Sequence, residues 1–360
     1  MGRKYGYHSY RGRSPLRILL KVLAGVLALL LAVFLATILF LDPYWSYSSE
    51  GAKLRLPWNS SSEPAPPTDI PQVSTQPSEL VVVTPAPTQA PHFHALALPR
   101  EALSDGSANS RLSAVGANAA VFDMKADDGS LGYLSGLVQA VSGGVNPSDD
   151  TVNNSINALN QQDGLYTVAR VSCFRDNTIP RQNNKLAIRS PSGNWRDSDG
   201  VRWLSPYSEG TRQYITGICL ELAGLGFDEI LLDNASYPTD GNLNYILKND
   251  AYSADNLNTV VSQFYTELSA SLKVAYPDVT LSVVTDGATI LSGSSAGGQA
   301  LSSIALMDRI WVRNPGTQMD AYARLLEENG LTNSATGLVP LSDSFGQDSQ
   351  NWAVWWKDVG

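Results

Sequence analysis

The sequence predicts a (β/α)8 barrel of the TIM type, and three observations predict it. From about residue 92 onward, short apolar runs alternate with helix-length amphipathic segments, the pattern of parallel strands joined by crossover helices. Eight such runs can be counted, the number that closes this barrel. Several of them end in a charged residue, and in such barrels the chemistry gathers at the C-terminal ends of the strands.

The strand candidates are "FHALAL" (93–98), "AAVFDM" (119–124), "LYTVARVS" (165–172) and "EILLD" (229–233), followed by "VTLSVV" (279–284), "DRIWV" (308–312), "GLVPL" (337–341) and "WAVWW" (352–356). Helical patterns stand between them. "EGTRQYITGICLELAGLG" closes on glycine, and "NLNTVVSQFYTELSASLKVAY" and "MDAYARLLEENG" follow later strands. Little helix separates the seventh and eighth candidates.

The part before residue 92 has a different composition. Residues 1–21 carry Arg3, Lys4, Arg11, Arg13, Arg17 and Lys21 without an acid, although the whole chain has a net charge of −9. Val22 to Leu41 is an uncharged apolar run, long enough to cross a hydrocarbon core of roughly 30 Å. It exceeds the apolar stretch of a cleaved signal peptide and lacks a small-residue cleavage site. Residues 22–41 therefore read as a transmembrane signal anchor, with 1–21 as a basic cytoplasmic tail and the rest of the chain outside the cell. Residues 42–91, rich in Pro, Ser and Thr, read as a disordered, extended linker, and 92–360 as the barrel.

Two cysteines, Cys173 and Cys219, are too few for a disulfide framework and read as buried thiols. The acidic ectodomain argues against nucleic acid and other polyanions as partners. Three histidines without an HExxH pattern give no metal site, and no cofactor motif is present: "SGSSAGGQA" (292–300) lacks the lysine of a phosphate loop. "GSSAG" matches G-x-S-x-G by letters alone, without a histidine to serve it.

The charged strand ends supply the candidate site. In "GFDEILLDNASYP" (226–238), Glu229, Leu231 and Asp233 share a face, with Asp233 at the rim. By the same alternation Asp123 and Lys125 end the second strand on one face, and Arg170 lies on the third. Asp286 stands just past the fifth. Two carboxylates flanking a sugar linkage are the minimum for glycoside hydrolysis. A buried ionic network without catalysis is the other reading, with Glu229 held by Arg170. Trp195, Trp203, Tyr207, Tyr237 and Trp311 lie near loops, where aromatic rings could stack on sugars or simply pack.

Three ordered stretches resemble a family of glycoside hydrolase-like domains with alpha-amylase-type barrels. They are "GANAAVFDMKADDGSLGY", "YTVARVSCFRDNTIP" and "WRDSDGVRWLSPYSEGTRQYITGICLELAGLGFDEILLDNASYP", and the match covers about 92–240. The resemblance implies a (β/α)8 barrel acting on glycans, with Asp233 as the catalytic candidate and Asp123, Lys125, Arg170 and Asp176 on motif positions. The sequence departs from the family after the fourth strand, where Ser236 stands at a basic position beside Asn234 and Tyr237. It departs again at Asp286, two places late, and in "WVRNPGT", which contains Trp311, Arg313 and Asn314.

The expectation is a membrane-anchored extracellular barrel that hydrolyses or binds a polysaccharide or cell-wall glycan. In the active version Asp233 is the nucleophile or charge stabiliser and Asp286 the acid. Asp123, Lys125, Arg170, Glu229, Trp203, Tyr207, Asn234, Tyr237 and Trp311 would surround the sugar. A catalytically impaired binding barrel and a structural envelope protein are the alternatives. The oligomeric state is open.

Overall fold

The computed structural model describes residues 45–48, 51–54 and 92–355. The chain divides into two compact units, Met1–Thr84 and Pro85–Gly360. In the first, Trp45–Ser48 pairs antiparallel with Gly51–Leu54, a short hairpin inside the segment read as linker. The apolar run 22–41 and the basic tail lie outside the described residues. Among the described residues, no helix is long and apolar enough to cross a membrane.

The second unit is a closed eight-stranded barrel. Its strands are β1 (His94–Leu98), β2 (Ala119–Lys125), β3 (Tyr166–Ser172), β4 (Glu229–Asp233), β5 (Thr280–Asp286), β6 (Arg309–Arg313), β7 (Leu338–Ser342) and β8 (Trp352–Val354). Each pairs in parallel with its sequence neighbours, and β8 closes on β1. All eight strand candidates are strands here, within a few residues at their ends. No helix stands between β7 and β8 among the described residues.

Alternation sorts each strand into two layers. Ala95 and Ala97 on β1, Ala119 and Val121 on β2, and Ala353 on β8 point inward with Val168, Leu231, Val284 and Trp311. The alanines are small because Trp311, fully buried, occupies the space they leave. Phe93 meets it edge-on at 5.8 Å. The outward residues Phe122, Ile230, Leu232, Leu281 and Ile310 belong to a separate core under the helices.

Two long helices cover the β3–β5 side. The first, α1 (Glu209–Gly224), begins where the Ser208 hydroxyl accepts the Thr211 N–H, satisfying an otherwise unpaired amide. It ends ahead of Gly226, whose φ of +88° suits glycine. It buries Ile215, Ile218 and Leu222, and α2 (Leu257–Ala275) buries Val261, Phe264 and Leu268. Between β3 and α1 the chain makes an excursion over 173–208 that carries part of the mouth.

Candidate active site

At the end of β4, Asp233 is only 2% exposed. Arg170, from β3, donates to its Oδ2 through Nε at 2.9 Å and Nη2 at 2.7 Å. Arg313, at the end of β6, places Nη2 2.7 Å from each oxygen. The Asn234 N–H completes Oδ1 at 2.8 Å. Burial alone would raise this carboxyl, but Arg313 and Arg170 outweigh burial and hold it below the usual carboxylate range.

The network runs outward from Arg170, which also donates to Asp123 at 2.9 Å and Asp127 at 2.7 Å. Arg175 then joins Asp127, Asp197 and Asp199 at 2.6, 2.8 and 2.7 Å. Asn234 bridges Asp127 and the Ser172 hydroxyl. Its φ of 46° is in the left-handed region, which asparagine tolerates. Burial would raise Asp127 as well, and Arg170 and Arg175 drive it far down.

These groups line a cleft of about 750 Å3 that includes Arg170, Arg175, Arg313, Asp127, Asp199 and Trp355. The Trp355 ring stands 5.1 Å from the Arg170 guanidinium carbon, a cation–π contact. A smaller cavity of about 120 Å3 beside it is lined by Asp233, Asp286, Trp203, Tyr237 and Arg313, among others. Arg313 belongs to both. Asp286 is exposed, and its Oδ1 accepts the Thr289 N–H at 2.7 Å, capping the helix Gly287–Ser292.

A family model described as "Putative glycosyl hydrolase domain" matches residues 110–310, more than half of the chain. The chain belongs to this family. Among solved structures, a hypothetical protein from Ruminiclostridium thermocellum is 26% identical, with a TM-score of 0.45 over 52% of this chain and 96% of that one. A GH36 alpha-galactosidase from Geobacillus stearothermophilus is 11% identical, TM-score 0.44, over 73% of this chain and 38% of that one. An alpha-galactosidase from Lactobacillus brevis is 14% identical, TM-score 0.44, over 70% and 33%. The chain thus spans 38% and 33% of those two galactosidases. No curated protein matches it.

Within this glycosyl hydrolase domain the expected residues divide. Asp123, Arg170, Asp233 and Asn234 meet at the mouth in one hydrogen-bonded cluster. Asp286 reaches the rim.

Glu229 is not held by Arg170. It starts β4 at the opposite end from Asp233, fully buried, and pairs with Arg309. The Tyr166 hydroxyl at 3.0 Å and the Trp311 indole N–H at 2.9 Å also donate to it. Arg170 sits opposite Leu231 in the strand register, between the two acids, and turns toward the rim.

Lys125 is also displaced. A bulge at Asp123–Lys125 shifts the β2–β3 register, and bulges re-aim side chains. The Lys125 ammonium is buried, 2.7 Å from the Ser172 carbonyl and 3.0 Å from Asp176.

The expected aromatics divide as well, with Trp203 and Tyr237 lining the small cavity from buried positions. Trp311 is interior filling, and Trp203 is buried with its indole on Asp197 at 2.9 Å. Tyr237 is buried and donates to the Ala251 carbonyl. Trp195 is buried against the Asn242 carbonyl. Tyr207, 46% exposed, lines a different cavity beside Arg212. Trp355, inside the strand candidate 352–356, is the ring at the cleft. The sequence pattern gives no role to Arg313, Asp127 or Arg175, although Asp127 belongs to the acidic glycine-containing turn of the first family-like stretch. Cys173 and Cys219 are buried free thiols.

Proposed function

We propose that this chain is a glycan-binding member of its glycosyl hydrolase family, tethered to a membrane by residues 22–41, with the barrel on the extracellular side. One observation carries the choice of binding over turnover: both oxygens of Asp233 are taken by guanidinium groups. A glycosidase nucleophile must reach an anomeric carbon, with its partner carboxyl about 5–5.5 Å away in retaining enzymes. An enclosed, doubly paired carboxylate serves instead as an anchor that fixes Arg170 and Arg313.

The cleft suits a sugar chain. Charged donors and acceptors of both signs match hydroxyl groups, and the half-buried Trp355 supplies a face for stacking. The tether rests on the six basic residues before an uncharged apolar run. Cell-wall glycan is the ligand that such a location would present.

Hydrolysis is the second reading, favoured by Asp233 and Asp286 lining one small cavity. Retention on a panel of insoluble and soluble polysaccharides tests the proposal, with wild type beside Trp355→Ala. At least one glycan should retain the wild type without being shortened, and Trp355→Ala should weaken that retention about 2- to 10-fold. Equal retention of the variant on every glycan would remove the cleft from the account.

A further inference from the structure

The excursion between β3 and α1 has a second face. An antiparallel bridge sets Arg196 opposite Arg202, and like charges directly opposite are destabilising unless something compensates them. Their sequence neighbours, Asp197 and Trp203, turn the other way: the Trp203 indole donates to Asp197, which also accepts from Arg175. Arg196 and Arg202 instead line a separate cavity of about 490 Å3 together with Arg181, Ser190 and Trp195.

No carboxylate lines that cavity. Arg202 donates to the Asn177 side chain at 2.7 Å and Arg196 to the Gly200 carbonyl at 3.3 Å, both neutral acceptors. The Arg181 side chain makes no ion pair among the described residues. The mouth arginines, in contrast, all pair with aspartates. Partial burial, then Arg196 and Arg181, lower the basicity of Arg202, as expected of three cations left to face one another. The negative net charge of the chain argues against polyanions on average, but this cavity is a local exception.

We propose that the arginine cavity of Arg181, Arg196 and Arg202 binds a phosphate group carried by a glycan chain. Guanidinium forks match phosphate oxygens two at a time. The sugar chain is taken from the glycan reading above, whereas the anion requirement stands on the arginines alone. Because the same excursion supplies Arg175 and Asp199 to the cleft, one polymer could occupy both faces.

The experiment measures retention of the full chain, in mild detergent, on phosphorylated dextran, carboxymethyl dextran and unmodified dextran. Phosphorylated dextran should hold the wild type best, and retention should fall as salt rises. The double variant Arg196→Ala/Arg202→Ala should weaken it at least tenfold with no loss of melting temperature, since two facing like charges are removed. Arg181→Ala should weaken it less, and Arg324→Ala, on an exposed helix elsewhere, not at all. Retention equal in wild type and double variant, equal on carboxymethyl dextran, or absent from the wild type would overturn the assignment. Displacement by inorganic phosphate at equal phosphate concentration would place free phosphate in the cavity and overturn the glycan part. Arg196 and Arg202 line no part of the mouth cleft, so loss in Trp355→Ala alone would leave the mouth reading standing and defeat this one.

Discussion

Asp233 and Glu229 sit on one face of one short strand, and their surroundings give them different work. Each is a buried carboxylate held by arginine, Asp233 by Arg170 and Arg313 and Glu229 by Arg309. Removing one partner of such a pair typically costs about 3–5 kcal/mol, because the other charge is left enclosed and unpaired. Glu229→Gln should therefore lower the melting temperature clearly, and Asp233→Asn should do the same. A rim position dispensable for folding, as the sequence suggests for Asp233, predicts no such cost. Strand alternation reveals which side chains share a face, but not what crosses the barrel to meet them. Arg313 and Arg309 come from β6, two strands away, where sequence alternation along β4 gives no sign of them. The pH response follows from the same pairs. Asp233 and Asp127 have folded-state pKa values below the roughly 3.9 of an unfolded aspartate. Their contribution is complete above that value and is lost as pH falls through the folded values. Urea midpoints should thus drop below about pH 4, and less steeply in Asp233→Asn, which a pH series of chemical denaturation measures.

At the scale of elements, uninterrupted strands were legible and their irregularities were not. All eight apolar runs became barrel strands because each keeps an apolar face toward the barrel interior or the helices. The bulge in β2 broke the rule that put Lys125 beside Asp123, since one extra residue re-aims the side chains that follow it. The loop after that bulge depends on Gly129, at φ +93°, where an added Cβ would lie 2.4 Å from the Asp176 Oδ1. Gly129→Ala should push Asp176 away from Lys125 and cost about 1–3 kcal/mol, measured as a shift in urea midpoint with the slope unchanged. A similar midpoint to wild type would mean that this turn is free to move. The aromatic rings were the least legible class. A tryptophan in sequence looks the same whether it fills the barrel, as Trp311 does, or stands at the cleft, as Trp355 does.

For the whole molecule, closure sets the boundary. β1 pairs with both β2 and β8, so a chain beginning at residue 119 would leave two open edges, a template for aggregation. A chain of residues 92–360 should melt cooperatively and one of 119–360 should not; equal cooperativity in calorimetry would mean that β1 is dispensable. The proposed tether is tested separately. Protease added to intact cells should cut within 42–91 and release the barrel, and cutting only after lysis would reverse the orientation.

We propose that Asp233 anchors the mouth and performs no turnover. Its most direct measurement pairs melting with glycan cleavage, for wild type and Asp233→Asn, on a polysaccharide that retains the protein. Neither protein should cleave it, and Asp233→Asn should melt lower by roughly 5–15 °C. Cleavage by the wild type that disappears in Asp233→Asn, with melting unchanged, would contradict it and make Asp233 the catalytic carboxylate.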